Sequence, residues 1–144
     1  MKVLVQRSKE ASVEVDDKIV GKIDHGMVIL VGFTHTDNST NIDYMVDKVL
    51  NLRIYDDDDG VMNKSILDTK GSILSISQFT LYADSKKGRR PSYANALNGE
   101  EATKLYDEFN EKLKKHIHVE TGIFGAEMKV SLINDGPVTI MLEK

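Results

Sequence analysis

Met27 to Phe33 is a run of seven residues without a polar side chain, opened by Gly26. A strand with one wet face alternates polar and apolar residues; this run does not, and predicts a strand buried on both faces. Ile73-Leu74-Ser75-Ile76 has the same β-branched, turn-bounded character. Such strands commit the chain to a layered fold. Ile42, Met45, Val46 and Val49 repeat at i, i+3, i+4 and i+7 after the N-cap candidates Asp37 to Thr40, predicting a helix that runs to about Arg53. Asn98 with Glu101 three residues on opens a second helix, with Ala102, Leu105, Tyr106, Phe109 and Leu113 on one face and Lys112, Lys114 and Lys115 near its end. Residues 2–7, 12–16 and 18–24 read as short strands, with Asp16-Asp17-Lys18 as the turn between the last two. Val61 to Ile66 reads as an edge strand. Met128 to Ile133 and Val138 to Leu142 read as strands flanking an Asn134-Asp135-Gly136-Pro137 turn. The expected fold class is α/β: a single layered domain over residues 1–144, with mixed, largely antiparallel β-sheets and two main helices.

Composition narrows the function. The chain has no cysteine, so disulfides and thiolate metal sites are excluded. A net charge of −4 argues against a protein that coats long nucleic acid and leaves room for a small RNA footprint. No run is long enough to span a bilayer, and a cytoplasmic location is expected. Asp56 to Asp59 before Gly60 invites a calcium reading, but an EF-hand loop built on this glycine needs acids where Tyr55 and Ile66 stand. His116 and His118 have no third histidine near in sequence, and His25 and His35 read as loop or strand-end residues. No metal and no cofactor are expected.

Chemistry is concentrated elsewhere. Ser77-Gln78-Phe79-Thr80 places hydroxyl and amide groups where a buried strand reaches the surface; ordinary half-buried strand residues satisfied by their neighbours, and groups presented for chemistry from a rigid support, are both open readings of it. A basic stretch, Lys86-Lys87-Gly88-Arg89-Arg90, follows directly; a solvated loop and a phosphate-contacting surface are both open readings of it. Asn134-Asp135-Gly136-Pro137-Val138-Thr139 carries one of only two X-Pro bonds in the chain. Taken together, Ser77-Gln78-Phe79-Thr80-Leu81 and Asn134 to Thr139 resemble the two signature motifs of the D-aminoacyl-tRNA deacylases. Val5-Gln6-Arg7, Ala11-Ser12-Val13, Arg89-Arg90-Pro91-Ser92 and Thr121-Gly122-Ile123-Phe124 extend that resemblance over essentially the whole chain.

The resemblance implies a hydrolase that frees D-amino acids from tRNA, and carries roles with it. Gln78, Phe79 and Thr80 are the catalytic candidates; Ser77, Gly136, Pro137, Arg7, Phe124 and Met128 are the substrate-binding ones. Arg7 is expected to orient the Gly136-Pro137 segment. A cis Gly136-Pro137 bond would point two carbonyls at the substrate's α-carbon and reject an L side chain by clash, leaving D-aminoacyl and glycyl esters to be cleaved. The implied partners are the aminoacylated 3′ end of tRNA and a second copy of the chain, in a homodimer whose active site lies near the subunit interface; no membrane or DNA partner is expected. The motifs hold no strong base, and Gly-x-Ser-x-Gly is missing. Backbone N–H groups around Phe79 and Thr80, aided by the substrate's own 2′-hydroxyl, are therefore preferred over a Thr80 nucleophile. The rival readings are a non-catalytic RNA-end-binding module and a small-molecule esterase using Thr80.

Overall fold

The computed structural model describes all residues, 1–144. In chain order the elements are β1 (Lys2–Val15), β2 (Lys18–Ile23), β3 (Gly26–Gly32), α1 (Ser39–Asn51), β4 (Tyr55–Asp56), β5 (Met62–Lys64), α2 (Ile66–Thr69), β6 (Ser72–Ser77), α3 (Gly99–Lys114), β7 (Val119–Thr121) and β8 (Lys129–Glu143). A 3₁₀ turn, Phe79–Tyr82, follows β6. The fold is mixed α/β, as the patterning predicts, with two long helices and one short one.

The main sheet is built around β1. Its first half pairs antiparallel with β3 and its second half with β2, so that Ser8↔Gly26 and Ala11↔Ile23 belong to one register. Its other edge is taken by β8. β3 then pairs parallel with β6, and β6 parallel with β7. The sequence reading breaks β1 into two strands, leaving residues 8–11 between them; the strand instead runs through, with Lys9 and Glu10 exposed opposite the break between β2 and β3. Asp16 and Asp17 take φ of 49° and 59°, the paired positive angles of a tight hairpin turn.

The burial of β3 on both faces has a simple cause. Met27, Ile29 and Val31 face α1 and α3, where Met45, Val49, Phe109 and Leu113 complete the larger core. Val28 faces the opposite way into a smaller core with Val13, Ile23, Leu74 and Ile76, because the β2 half of the sheet curls over β6. Gly21 lies at that closure: a Cβ there would stand 2.9 Å from the Thr121 carbonyl oxygen. Asn38 caps α1 by accepting from the Thr40 amide at 2.9 Å, and Asn98 caps α3 by accepting from the Glu101 amide at 3.1 Å. α2 is missing from the sequence reading, although Ser65-x-x-Asp68 signals it: Ser65 Oγ accepts from the Asp68 amide, and the Asp68 carboxylate accepts from the Ser65 amide.

Two further expectations are corrected. Val61 to Ile66 yields only β5, which pairs with β4 in a separate two-stranded ribbon. Asn134-Asp135-Gly136-Pro137 does not reverse the chain. β8 continues through it, and the register moves from Ser8↔Asn134 to Gln6↔Thr139, so that two steps along β1 face five along β8. The surplus residues form a wide bulge. Asn134 closes it, donating from Nδ2 to Thr139 Oγ1 and accepting from the Val138 amide, each at 2.9 Å.

Candidate active site

β3, β6 and β7 run parallel, and their carboxyl ends, Gly32, Ser77 and Thr121, lie side by side. Ligands of such sheets settle in the crevice beyond the carboxyl ends of the strands. A cavity of about 280 Å³ opens there, lined by Ile76, Ser77, Gln78 and Phe79 on one side and by Phe124, Gly125, Ala126, Met128 and Val130 on the other. A second hollow of about 300 Å³ shares Gln78, Phe79, Phe124 and Gly125 and extends towards Phe33 and Leu97. Ser77, Gln78, Phe79, Phe124 and Met128 are thus brought to one place. Phe79 is 56% exposed, unusual for so large an apolar side chain, and its ring meets Tyr93 edge-on at 5.1 Å. Sequence reasoning missed Tyr93, which no local signal marks.

The turn after β6 is held from several sides. Gln78 N donates to the Val31 carbonyl at 2.7 Å, tying it to β3. Leu81 N returns to the Gln78 carbonyl at 3.3 Å and Ala83 N to the Thr80 carbonyl at 3.0 Å. In a turn of this kind the first two amides, Phe79 N–H and Thr80 N–H, have no acceptor within the turn, and no side chain caps them. Gly32 makes the close approach possible, since a Cβ there would stand 2.9 Å from the Gln78 carbonyl oxygen. Behind the pocket the Tyr106 ring packs on Phe124 at 5.8 Å, and its hydroxyl donates to the Ser75 carbonyl at 2.7 Å. Burial pushes that hydroxyl above the ordinary tyrosine range, so it remains a donor.

None of the nine residues lining the first cavity carries a side chain that titrates near neutrality. Thr80 Oγ1 accepts from Gln78 Nε2 at 2.5 Å, and an amide cannot take the hydroxyl proton. The geometry therefore offers donors, a shaped apolar wall and an entrance, with no general base from the wall itself. His118 is not among the lining residues, and its Nε2 lies 2.9 Å from Glu120 Oε1.

Arg7, Gly136 and Pro137 lie elsewhere. Arg7 stands opposite the bulge of β8, between Gln6 and Ser8, and its Nε donates to the Asp135 carbonyl at 2.8 Å. Its Nη1 donates to the Ile54 carbonyl at 2.7 Å and lies 3.5 Å from Asp56 Oδ1. The Gly136-Pro137 bond is cis, Gly136 takes φ of +135°, and both residues are exposed. Beside them lies a cavity of about 510 Å³ that Arg7, Ser8, Tyr55 and Asp135 help to line. Burial drives the Tyr55 hydroxyl up, against the smaller opposing pull of Arg7, so it stays neutral. Arg7 pairs with Met27 at one end of β3, whereas Ser77 pairs with Val31 four residues further on, a separation of about 13 Å along the strand alone. Within one chain the two motifs occupy opposite ends of the sheet.

These features define a class whose pocket is walled by backbone and apolar groups at strand ends. The chain belongs to the D-Tyr-tRNA(Tyr) deacylase family, whose sequence model matches residues 4–143. It is 58% identical to a D-aminoacyl-tRNA deacylase of Bacillus cytotoxicus and 57% identical to one of Bacillus mycoides, in each case over 99% of both chains. Among solved structures it resembles a c-Myc DNA unwinding element binding protein, with a TM-score of 0.95, 40% identity and coverage of 100% of this chain and 99% of that one. A structure described as a probable eukaryotic D-amino acid tRNA deacylase shares the fold, with a TM-score of 0.85, 17% identity and coverage of 98% and 97%.

Proposed function

We propose that this chain hydrolyses the ester joining a D-amino acid, or glycine, to the 3′-terminal ribose of tRNA, and spares the L-aminoacyl ester. Family membership supports the deacylase reaction, and the pocket beside Phe79 carries the reading of how it proceeds. Water adds to the ester carbonyl carbon, and the developing oxyanion is received by the Phe79 and Thr80 amides. The ribose oxygen leaves as a hydroxyl, the amino acid leaves as a carboxylate, and the released proton passes to solvent. With no base in the wall, the neighbouring 2′-hydroxyl of the ribose orients and polarises the water. Ser77 and Gln78 hold the ester, and Phe124 and Met128 bound the space behind it.

Selection belongs to the Gly136-Pro137 bulge. It lies too far from the pocket to act within its own chain, so a second copy supplies it, and the working unit is a homodimer with the site at the interface. The whole of residues 1–144 serves as one domain of that dimer. The bulge faces the substrate's α-carbon, an L side chain collides with it, and a D side chain or the bare hydrogen of glycine does not. Rejection by collision needs little affinity for the accepted side chain, so tolerance of D side chains is broad. The direct test is amino-acid release from D-Tyr-tRNA, L-Tyr-tRNA and Gly-tRNA in the presence of a chelator. Release from the D and glycyl forms with the L form intact is expected; binding without release would make the protein an RNA-end-binding module instead.

A further inference from the structure

We infer that the loop Lys86 to Arg90 is a phosphate-binding surface for the single-stranded 3′ end of the RNA whose terminal ester enters the Phe79 pocket. The inference rests on the proposed deacylase reading for the identity of the RNA, and on its own observations for the surface. Four cations, Lys86, Lys87, Arg89 and Arg90, fall within five residues of a chain whose net charge is −4, and all are exposed. None of the four is paired with a carboxylate, a state shared with scattered cations such as Lys9, Lys22 and Lys70; what marks the loop is that its four unpaired charges stand together, where Lys64, Lys104, Lys112, Lys114 and Lys129 are each neutralised by acids. The nearest acid in sequence, Asp84, turns its carboxylate to the Lys86 backbone amide at 2.9 Å.

The ends of the loop are also pinned. They are joined by a two-bond bridge, Asp84 N to Ser92 O and Ser92 N to Asp84 O, each at 2.8 Å. Tyr93, next after the bridge, stacks edge-on against Phe79 at the mouth of the cavity. Arg89 is four residues from Tyr93, so the two Cα atoms lie at most about 14 Å apart. This is the reach of the last few nucleotides before the ester. The two exposed rings offer the terminal bases a stacking surface, and the cations follow the backbone behind them, the arrangement by which single strands are gripped without reading sequence.

The test compares the parent with a variant carrying Lys86→Gln, Lys87→Gln, Arg89→Gln and Arg90→Gln, and with the charge-preserving Arg89→Lys, Arg90→Lys. Binding of uncharged tRNA is measured against salt concentration. Four phosphate contacts to a single strand give about −2.8 in the slope of log affinity against log salt, so the glutamine variant should lose roughly that much and the lysine variant little. Hydrolysis is measured on D-Tyr-tRNA and on the 3′ D-tyrosyl ester of adenosine, which has no phosphate. The glutamine variant should lose about tenfold or more in kcat/KM on the tRNA and nothing on the adenosine ester. An unchanged salt slope, or equal losses on both esters, overturns the inference. A parent that cleaves neither ester overturns the deacylase reading instead, and the salt slope then still decides the surface.

Discussion

Arg7 and Asp135, 128 residues apart in sequence, meet through a 2.8 Å hydrogen bond from Nε to the backbone carbonyl. That bond ties the bulge of β8 to β1, and the Ile54 carbonyl at 2.7 Å and Asp56 brace the guanidinium from the other side. A lysine cannot address both carbonyls with the rigid fork of a guanidinium. Arg7→Lys should therefore loosen the Gly136-Pro137 segment. L-Tyr-tRNA cleavage should rise about tenfold while D-Tyr-tRNA cleavage changes less, measured as the ratio of the two release rates. An unchanged ratio would free Arg7 of any part in selection.

Gly32 and Gln78 make a complementary case at the pocket. A methyl group on Gly32 would press on the Gln78 carbonyl oxygen at 2.9 Å and on Leu81 Cβ at 3.2 Å. Gly32→Ala should shift the turn that carries the Phe79 and Thr80 amides, at a cost of ten- to roughly a hundredfold in kcat. The D-over-L ratio should hold, since the bulge is untouched. Single-turnover rates on both esters check this.

Thr80 has an amide, Gln78 Nε2, as the partner of its hydroxyl. Thr80→Ala should keep activity within about tenfold of the parent, a change of roughly 1.4 kcal/mol in the barrier. Complete loss in a folded variant would restore the hydroxyl as a nucleophile.

The pH profile gives a further check, because the first cavity is lined without histidine or carboxylate. Any inflection between about pH 5 and 8 should then belong to the substrate's α-amino group. His25→Gln, His35→Gln, His116→Gln and His118→Gln should each reproduce the parental curve. A shifted or missing limb in one of them would reveal a protein base.

Stability has its own hinge at Asp37. Its carboxylate accepts from the Met1 ammonium at 2.6 Å and from the Thr34 amide at 2.8 Å, with the Asp37 side chain only 1% exposed. Asp37→Ala would leave that buried ammonium without a counter-charge, with only the Lys144 carbonyl at 2.8 Å as acceptor, and about 3 kcal/mol should be lost in urea unfolding. A loss of under about 0.5 kcal/mol, the usual range of a surface substitution, would show that the terminus finds another partner.

Much of this molecule is legible from local pattern, and the limits are instructive. β3, α1 and α3 could be read because burial on both faces, or on one helical stripe, leaves a periodic trace. Ser77, Gln78 and Phe79 could be read because they end a strand abruptly. The continuity of β1 through Lys9 and Glu10 could not, since it depends on the register by which β2 takes over from β3. The bulge at Gly136 reads locally as a turn because its residues are turn residues; what keeps the chain straight is pairing on both sides with β1, together with Asn134. The ends of the sheet to which the two motifs go follow from topology alone.

If the bulge of one copy guards the pocket of another, the two functions must separate in mixed dimers. One chain carries Gly136→Ala, whose Cβ would stand 2.8 Å from Val138 Cγ2 at a φ of +135°; alone, it should cleave both D- and L-Tyr-tRNA. The other carries Gly32→Ala, with a weakened pocket and an intact bulge. When the second is coexpressed in excess, the pocket of the first is closed by a normal bulge, and L-Tyr-tRNA cleavage per mole of the Gly136→Ala chain should fall while D-Tyr-tRNA cleavage persists. L cleavage that stays constant as the partner is added would place the selecting residues in the same chain as the pocket and rule out a guard from the second copy.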